Sequence, residues 1–249
     1  MSRMRVGVIG CGLIAQIMHL PHLKELHELF EVVALCDVSS GTLQYVGDYY
    51  GVTKRFTDYR ALLKEPLDAV AIFSADSHGQ VITDALKAGK HVFAEKPMCF
   101  TLREADEILA AHKKADTVCM VTYMKRYDPG FRYALPLIQK MKDLQAIHIT
   151  ILHPSEGNQI GHHDVRRFAD VPAKAQKQLR AEQDALIREV IGDFTPLERR
   201  VFANNLLSTL VHDINVLRAL SGDPAEVLFT DVWAGGEGML TCMRYATGV

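Results

Sequence analysis

Residues 4–15 read MRVGVIGCGLIA: an apolar run, a corner rich in glycine, and the start of an apolar-periodic segment that extends to Phe30. This pattern predicts a buried strand, a tight turn and a helix whose first backbone N–H groups face the turn. Those N–H groups have no intrahelical acceptor and lie at the positive end of the helix dipole. The corner therefore favours an anion such as a pyrophosphate.

Two positions of this corner need glycine, for different reasons. Gly10 lets the chain turn, and Gly12 lets the backbone approach a phosphate without an intervening Cβ. Ala15 takes the third position of the pattern, which tolerates alanine because that residue only sets the packing of helix on strand. We predict that five residues of the corner bind a dinucleotide: Gly10, Cys11, Gly12, Leu13 and Ile14.

The second apolar run ends in a carboxylate, Asp37. It follows the corner by roughly 20 residues, the spacing at which an acid hydrogen-bonds the adenosine ribose hydroxyls. The alternative is that Asp37 only caps the helix that begins near Ser39 or Ser40, and that the glycines form an ordinary strand–helix turn. Asp37 would repel a 2′-phosphate, so the sequence favours NAD, while Ser39 and Ser40 leave NADP open.

Composition narrows the class of protein. The chain of 249 residues has 28 Lys and Arg against 30 Asp and Glu, and no basic block indicates a nucleic acid or a membrane surface as a partner. Its five cysteines are scattered without a Cys-x-x-Cys pair, which is typical of reduced thiols in an intracellular protein. A strand occupies the first ten residues and no apolar run reaches transmembrane length, so we expect a soluble, cytoplasmic protein.

Up to Tyr123, apolar runs alternate with amphipathic segments of helical length. Runs without polar alternation are typical of buried parallel strands, so the pattern predicts an α/β, doubly wound sheet over residues 1–123. The predicted strands are 4–10, 31–37, 54–56, 69–75, 91–95 and 118–124. The predicted helices are near 13–29, 40–50, 58–64, 77–88 and 102–114, the last with a capping box at Thr101–Glu104.

Polar residues follow two of the predicted strands, where ligands of such sheets bind. Ser74 and Ala75 end one strand and His78 follows it, while Glu95 ends another and Lys96 follows it, so we include all five among the cofactor-binding residues. Polar residues at strand ends are common in any soluble protein, which is the alternative. A functional role is better supported for Lys96, because Pro97 restricts the Lys96 backbone to an extended conformation and so limits the directions that its side chain can take. The alternative is a lysine with a structural role.

After residue 123 the pattern changes to that of a C-terminal α+β domain, residues 124–249, with an open, mainly antiparallel sheet. The strict alternation of Leu144–His153 predicts a half-exposed strand. Residues 154–170 are predicted as a polar loop, in which His162, His163 and Asp164 are interpreted as loop residues, with metal binding as the alternative. The other predicted elements are helices at 131–142, 172–191 and 195–221 and a hairpin of strands 225–234 and 238–247.

The last long helix carries a row of short polar groups. On an α-helical wheel Asn205, Ser208, His212 and Asn215 share one line, opposite an apolar face. A solvated face would usually carry Lys and Glu, so this row favours a wall that contacts a polar ligand. A helix face with small polar residues and no ligand is equally consistent with the spacing.

These motifs together resemble the Gfo/Idh/MocA family of oxidoreductases. The resemblance rests on the glycine-rich corner, Asp37, the Glu95-Lys96-Pro97 triplet and the segment Val211–Asn215. It implies a Rossmann domain, a C-terminal α/β domain that forms homo-oligomers through its sheet, and NAD- or NADP-dependent chemistry on sugars, cyclitols or related polyols. It also implies Lys96 and His212 as catalytic residues and Tyr123, Arg126, Tyr127, Ser208 and His212 as substrate contacts, with no metal.

Two departures from the family pattern favour a second hypothesis. Family members usually carry an aspartate four residues before the histidine, where this chain has Ser208, and they continue with further strands beyond residue 249. A shortened member, or a sheet edge supplied by another chain, would explain the second departure. The alternative function is a non-catalytic, dinucleotide-binding regulator of the same fold.

Overall fold

A computed structural model describes residues 2–246 of the chain. Thr247, the last residue of the predicted C-terminal strand, lies outside the described residues. The strands are β1 (Met4–Ile9), β2 (Phe30–Cys36), β3 (Lys54–Phe56), β4 (Ala69–Ile72), β5 (His91–Ala94), β6 (Cys119–Val121), β7 (Pro224–Trp233) and β8 (Gly238–Tyr245). The α-helices are α1 (Leu20–Glu25), α2 (Ser40–Tyr50), α3 (Tyr59–Leu62), α4 (Gly79–Lys87), α5 (Leu102–His112), α6 (Pro129–Ile138), α7 (Glu156–Ile160), α8 (Ala173–Ile191), α9 (Pro196–Arg200) and α10 (Val211–Ser221).

The first six strands form one parallel sheet in the order β3-β2-β1-β4-β5-β6. The predicted doubly wound sheet is therefore confirmed. The strand order reverses between β1 and β4, so a crevice at the carboxyl ends of these two strands is the expected ligand site.

Helices on both faces of the sheet bury its apolar side chains. One core cluster includes Ile72 and Ile82, and the other includes Val8 and Leu35, all at most 5% exposed. The continuous apolar runs that predicted buried strands thus correspond to strands covered on both sides.

Side-chain caps define where several of these helices begin. Ser39 accepts a hydrogen bond from the Thr42 amide at the start of α2. Thr101 and Glu104 form the predicted capping box at the start of α5, and both are buried. A second capping box, Thr195 with Glu198, begins α9.

Two predicted helices differ from an uninterrupted α-helix. The first is π-helical over Ala15–His19, and α1 ends at Glu25 instead of near residue 29. The long helix predicted over 195–221 consists of α9, a π-helical segment Val201–Leu210 and α10. Because a π-helix bonds i to i+5, the α-helical wheel does not hold across its middle.

The prediction of a strand from Leu144 to His153 is wrong. These residues form neither a strand nor a helix, and β7 pairs antiparallel with β8 in a separate two-stranded sheet. The alternation itself persists, because Ile147, Ile149 and Ile151 are half-buried while the residues between them are exposed. The segment has the pattern of a strand without ladder hydrogen bonds to a partner within residues 2–246.

The chain divides into two compact units that interleave in sequence. The first unit comprises the chain up to Thr122 together with Pro154–Val190, and the second comprises Tyr123–His153 and the chain from Ile191 onward. The domain boundary predicted at residue 123 lies beside the first of these breaks. Among the described residues, no helix combines the length and the apolar character needed to cross a membrane.

Candidate cofactor and active site

The glycine-rich corner lies between β1 and the first helix, at the reversal of strand order. Gly10 has a φ of 91°, and a Cβ there would come within 2.3 Å of the Ser74 backbone nitrogen, so the end of β4 packs directly against the corner. A Cβ built on Gly12 would meet nothing within 4 Å. The backbone at Gly12 is therefore accessible to a ligand, as phosphate binding requires.

Asp37 follows β2 and forms a hydrogen bond with the backbone of the corner. Its Oδ2 accepts a hydrogen bond from the Cys11 amide at 2.7 Å, and its Oδ1 accepts one from the Ser39 amide at 2.8 Å. The N-cap residue of α2 is Ser39, so Asp37 is not the cap of that helix. Each carboxylate oxygen retains acceptor capacity for a ribose hydroxyl.

Glu95 and Lys96 follow β5 at the same edge of the sheet, and the Lys96–Pro97 peptide is cis. Glu95 Oε1 lies 2.8 Å from His19 Nε2, and the His19 ring stacks on Phe73 with centroids 3.9 Å apart. Burial opposes ionisation of Glu95, but the hydrogen bond and the charge of His19, with smaller effects of Thr122 and Lys96, outweigh burial and hold the pKa of this carboxyl below its usual value.

Lys96 is half-buried, and this changes its acidity. Burial lowers the pKa of its ammonium group, while the adjacent Glu95 carboxylate opposes that shift. A lysine of this kind exchanges a proton closer to neutral pH than a surface lysine does. Such a perturbed group in a ligand crevice is a candidate for a functional role.

His78 lies in the same region but holds loops together. It is 1% exposed, and its ring nitrogens are each 2.7 Å from a backbone carbonyl oxygen, Nδ1 from that of Pro97 and Nε2 from that of Ser74. It thereby connects the loop after β4 to the Lys96–Pro97 loop. Ala75, also predicted to bind cofactor, is exposed between these elements.

The second unit contains the predicted substrate-side residues. Arg126 Nη1 lies 3.3 Å from both the backbone oxygen and the Oδ1 of Asn215. Tyr127 is exposed and contributes to an open cavity of about 610 Å³. The cavity is lined by Met124, Lys125, Tyr127, Asp128, Phe131, Asp213 and Val216.

Sequence reasoning missed one pair in this cavity. Lys125 Nζ and Asp213 Oδ1 are 2.6 Å apart, with Asp213 mostly shielded from solvent. Both are neighbours of predicted site residues, Arg126 and His212, which is the signal that could have indicated them.

The row of polar residues predicted on the long helix is interrupted by the π-helical segment. Ser208 lies in that segment and is exposed, whereas His212 lies in the first turn of α10 and is half-buried. Asn205 donates a hydrogen bond to the Gly236 carbonyl oxygen in the β7–β8 hairpin, and Asn215 accepts hydrogen bonds from Arg126. Lys96 belongs to the first unit, and Tyr123 and His212 belong to the second.

The segment predicted as a polar loop also contacts the first helix, just after the corner. Gln16 Nε2 donates to the Arg166 carbonyl oxygen and the Arg166 amide donates to Gln16 Oε1, both at 3.0 Å. The rings of His162 and His163 are 4.1 Å apart, and within residues 2–246 no group of three or more His, Cys, Asp or Glu is arranged to hold a metal ion.

Comparison with known proteins identifies relatives of this chain. Residues 4–123 match the Gfo/Idh/MocA family, described as an oxidoreductase family with an NAD-binding Rossmann fold. A myo-inositol 2-dehydrogenase of Thermotoga maritima is 28% identical over 232 residues, which cover 92% of this chain and 58% of the relative. The chain thus spans a little over half the length of that relative.

Two solved structures illustrate the similarity. A 3-ketoreductase from Actinomadura kijaniata, in complex with TDP-benzene and NADP, superposes with a TM-score of 0.51 at 31% identity, over 56% of this chain and 44% of that one. The myo-inositol 2-dehydrogenase of Lactobacillus plantarum superposes with a TM-score of 0.66 over 100% of this chain and 68% of that one, at 20% identity. The second similarity concerns the fold alone.

Proposed function

Through residues 4–123 the chain belongs to the Gfo/Idh/MocA family of oxidoreductases, and from that premise we propose that it transfers hydride between a nicotinamide dinucleotide and a hydroxyl or keto carbon of a sugar, cyclitol or related polyol. The observation that carries this proposal is the corner at Gly12. Its backbone is open to a ligand, Asp37 stands beside it, and Lys96 follows β5 at the same edge of the sheet.

The residues present fit a dinucleotide. The amides of Leu13 and Ile14 open the first helix and can receive a diphosphate, and Asp37 can accept hydrogen bonds from ribose hydroxyls. A bound nicotinamide would supply the hydride acceptor or donor. The carboxylate of Asp37 disfavours a 2′-phosphate, so NAD is the proposed cofactor.

Lys96 and His212 are the proposed catalytic residues. The Lys96 ammonium would bind the reacting oxygen and stabilise the negative charge that develops on it. His212 would accept the hydroxyl proton during oxidation and return a proton during reduction, a role that suits imidazole near neutral pH.

The second unit supplies the proposed substrate contacts. Tyr123, Arg126, Tyr127 and Ser208 offer the hydrogen-bonding groups expected for a ligand with several hydroxyls. Lys125 and Asp213 add a charged donor and a charged acceptor at the open cavity. The Thermotoga relative acts, by its name, on myo-inositol, which belongs to the proposed substrate class.

We further propose association of copies of the chain through the sheet of the second unit. Val227, Phe229 and Trp233 of β7 and Leu240 of β8 are each at least half exposed. Strands that expose apolar side chains in this way favour contact with another protein surface.

Purified protein tests the catalytic proposal. With NADH or NAD and a panel of polyols and keto-sugars, we expect a substrate-dependent change in nicotinamide absorbance. Lys96→Ala should lower kcat by about 10²–10³-fold, and His212→Ala by about 10²–10⁴-fold, with Kd for NADH nearly unchanged for His212→Ala. Lys87→Ala and His22→Ala replace exposed residues of the same types and serve as controls.

The exposed Ser208 favours a second function. It stands where family members usually carry an aspartate, and a hydroxyl cannot stabilise an imidazolium by charge. A dinucleotide-binding regulator would bind NADH with no turnover on any substrate of the panel. Absence of dinucleotide binding would contradict both functions.

A further inference from the structure

Residues 166–170, which we call the strap, lie on the first unit at the adenosine end of the proposed cofactor site. The strap contacts this unit through alternate residues: Arg166 through its backbone, and Phe168 and Asp170 through their side chains. This period of two is typical of an extended segment laid on a surface.

Asp170 bonds to the start of α2. Its Oδ1 accepts a hydrogen bond from Ser39 Oγ at 2.5 Å, and its Oδ2 accepts one from the Gly41 amide at 2.6 Å. The hydrogen bond from Ser39, with that from the Gly41 amide, lowers the pKa of Asp170 below its usual value, so the side chain is ionised at neutral pH. A negative charge therefore rests on the first turn of α2.

The strap is held at this position by packing as well. The Phe168 ring covers Gly41 so closely that a Cβ on Gly41 would come within 2.7 Å of it. The same ring lies 6.4 Å from that of Tyr45, one turn further along α2. Glycine at position 41 thus permits the contact, and Asp170, two residues after Phe168, bonds to the start of the same helix.

The loop occupied by Asp170 is the one that follows the ribose-binding acid. Asp37 accepts the Ser39 amide, so both carboxylates bond to residues 39–41. A 2′-phosphate on that ribose would need donors from this loop, and no Lys or Arg lies between Asp37 and Lys54 to supply a positive charge. The Ser39 hydroxyl, which left NADP open from sequence, already donates to Asp170.

We propose that Asp170 is a second determinant of cofactor specificity, which excludes NADP by placing its carboxylate on the donors that a 2′-phosphate would use. This inference rests on the proposed dinucleotide site. A ribose hydroxyl can donate a hydrogen bond to a carboxylate, whereas an ionised phosphate meets it only with negative charge. Asp170 is therefore compatible with NAD and repels NADP.

Equilibrium binding of NADH and NADPH to the purified protein, measured by nicotinamide fluorescence or calorimetry, tests this role without reference to turnover. Asp170→Asn keeps the shape and an acceptor oxygen but removes the charge. We expect this variant to lower Kd for NADPH by about fivefold or more, as expected from the loss of one like-charge repulsion, and to leave Kd for NADH within about twofold. Gly41→Ala, which displaces Phe168, should also lower the ratio of the Kd for NADPH to the Kd for NADH.

Asp164→Asn is the matched control. Asp164 lies just before the strap, is exposed, and pairs with Arg166. It should leave both dissociation constants unchanged. An unchanged ratio of NADPH to NADH affinity in Asp170→Asn, or equal affinities in the unaltered protein, would overturn the inference while leaving the proposed function standing. Failure of the unaltered protein to bind either dinucleotide would overturn the proposed function and, with it, this inference.

Discussion

Glu95 lies directly beside Lys96, the lysine to which we assign a catalytic role in the proposed chemistry. It is partly buried, it contacts His19 on one side, and its other oxygen accepts the Lys96 amide at 3.1 Å. Its negative charge raises the pKa of Lys96 against the effect of burial. In the proposed reaction, Glu95 would therefore act through Lys96, as a positioning residue.

Glu95→Gln should shift the alkaline limb of kcat/KM to lower pH. In the proposed reaction Lys96 acts in its protonated form, so activity should be lost as pH rises through its pKa. Without the Glu95 charge, burial lowers that pKa further, and the loss begins at a lower pH. At neutral pH the activity should fall by less than in Lys96→Ala.

Steady-state kinetics over a range of pH would measure this shift. Glu107→Gln, on the exposed side of α5 and paired with Arg103, is the control and should leave the limb unmoved. A limb at the same or a higher pH in Glu95→Gln would contradict the role assigned to this carboxylate.

Individual residues were predictable from sequence where their role is local. Gly10 and Gly12 are required by a turn and by close approach, and the structure gives them those positions. The contact between His19 and Glu95 joins residues 76 apart in sequence, and the contact between Ser39 and Asp170 joins residues 131 apart. No local pattern encodes such pairs, so they emerged only from the fold.

Among the elements, two helices begin with the same capping box in different surroundings. At α5, Thr101 and Glu104 are about 5% exposed, and Glu104 also accepts hydrogen bonds from the Phe100 amide and Ser77 Oγ. At α9, the box of Thr195 and Glu198 is exposed to solvent. Because both boxes consist of a threonine and a glutamate, they allow the effect of burial on the stability of a cap to be measured with the residue types held constant.

Thr101→Ala should destabilise its unit more than Thr195→Ala destabilises its own. Loss of an N-cap costs about 0.5–2 kcal/mol, and the upper end applies where the freed amide of Glu104 is buried away from water. We expect about 1.5–2 kcal/mol for Thr101→Ala and about 0.5–1 kcal/mol for Thr195→Ala. Urea unfolding followed by circular dichroism would measure both.

Serine variants at the two positions provide the controls, because serine keeps the capping oxygen. Thr101→Ser and Thr195→Ser should recover most of the lost stability. Equal costs for the two alanine variants would show that burial does not set the strength of these caps.

Periodicity predicted elements well where their partners also lie in the described chain. The parallel strands from β1 to β6 occur close to their predicted positions, and four of them, β1, β2, β4 and β5, contain buried apolar residues. The alternation at 144–153 identified the half-buried face correctly, but a strand also needs an edge to pair with. The π-helical segment Val201–Leu210 was missed because its sequence satisfies an α-helical wheel equally well.

At the scale of the whole molecule, the two units differ in how much apolar surface they bury. Within residues 2–246, the buried apolar side chains of the second unit are Phe202 and Tyr245, at 8% and 6% exposed, whereas the first unit contains both core clusters. The second unit also leaves Leu152 and Phe229 exposed. Since burial of apolar surface is the main favourable term in folding, the second unit should be the less stable.

Hydrogen exchange followed by mass spectrometry should therefore divide the chain by unit. Amides of β1 and β4 should exchange only through global unfolding of the first unit, and those of β7 and β8 through local openings of about a few kcal/mol or less.

If copies associate through this sheet, protection of β7 and β8 should rise with protein concentration, because association stabilises by mass action. Phe229→Lys should abolish that dependence, whereas Leu102→Lys, which replaces an exposed apolar residue of α5, should leave it intact. Protection of β7 and β8 equal to that of β1 at every concentration would show that the second unit is stable without a covering surface.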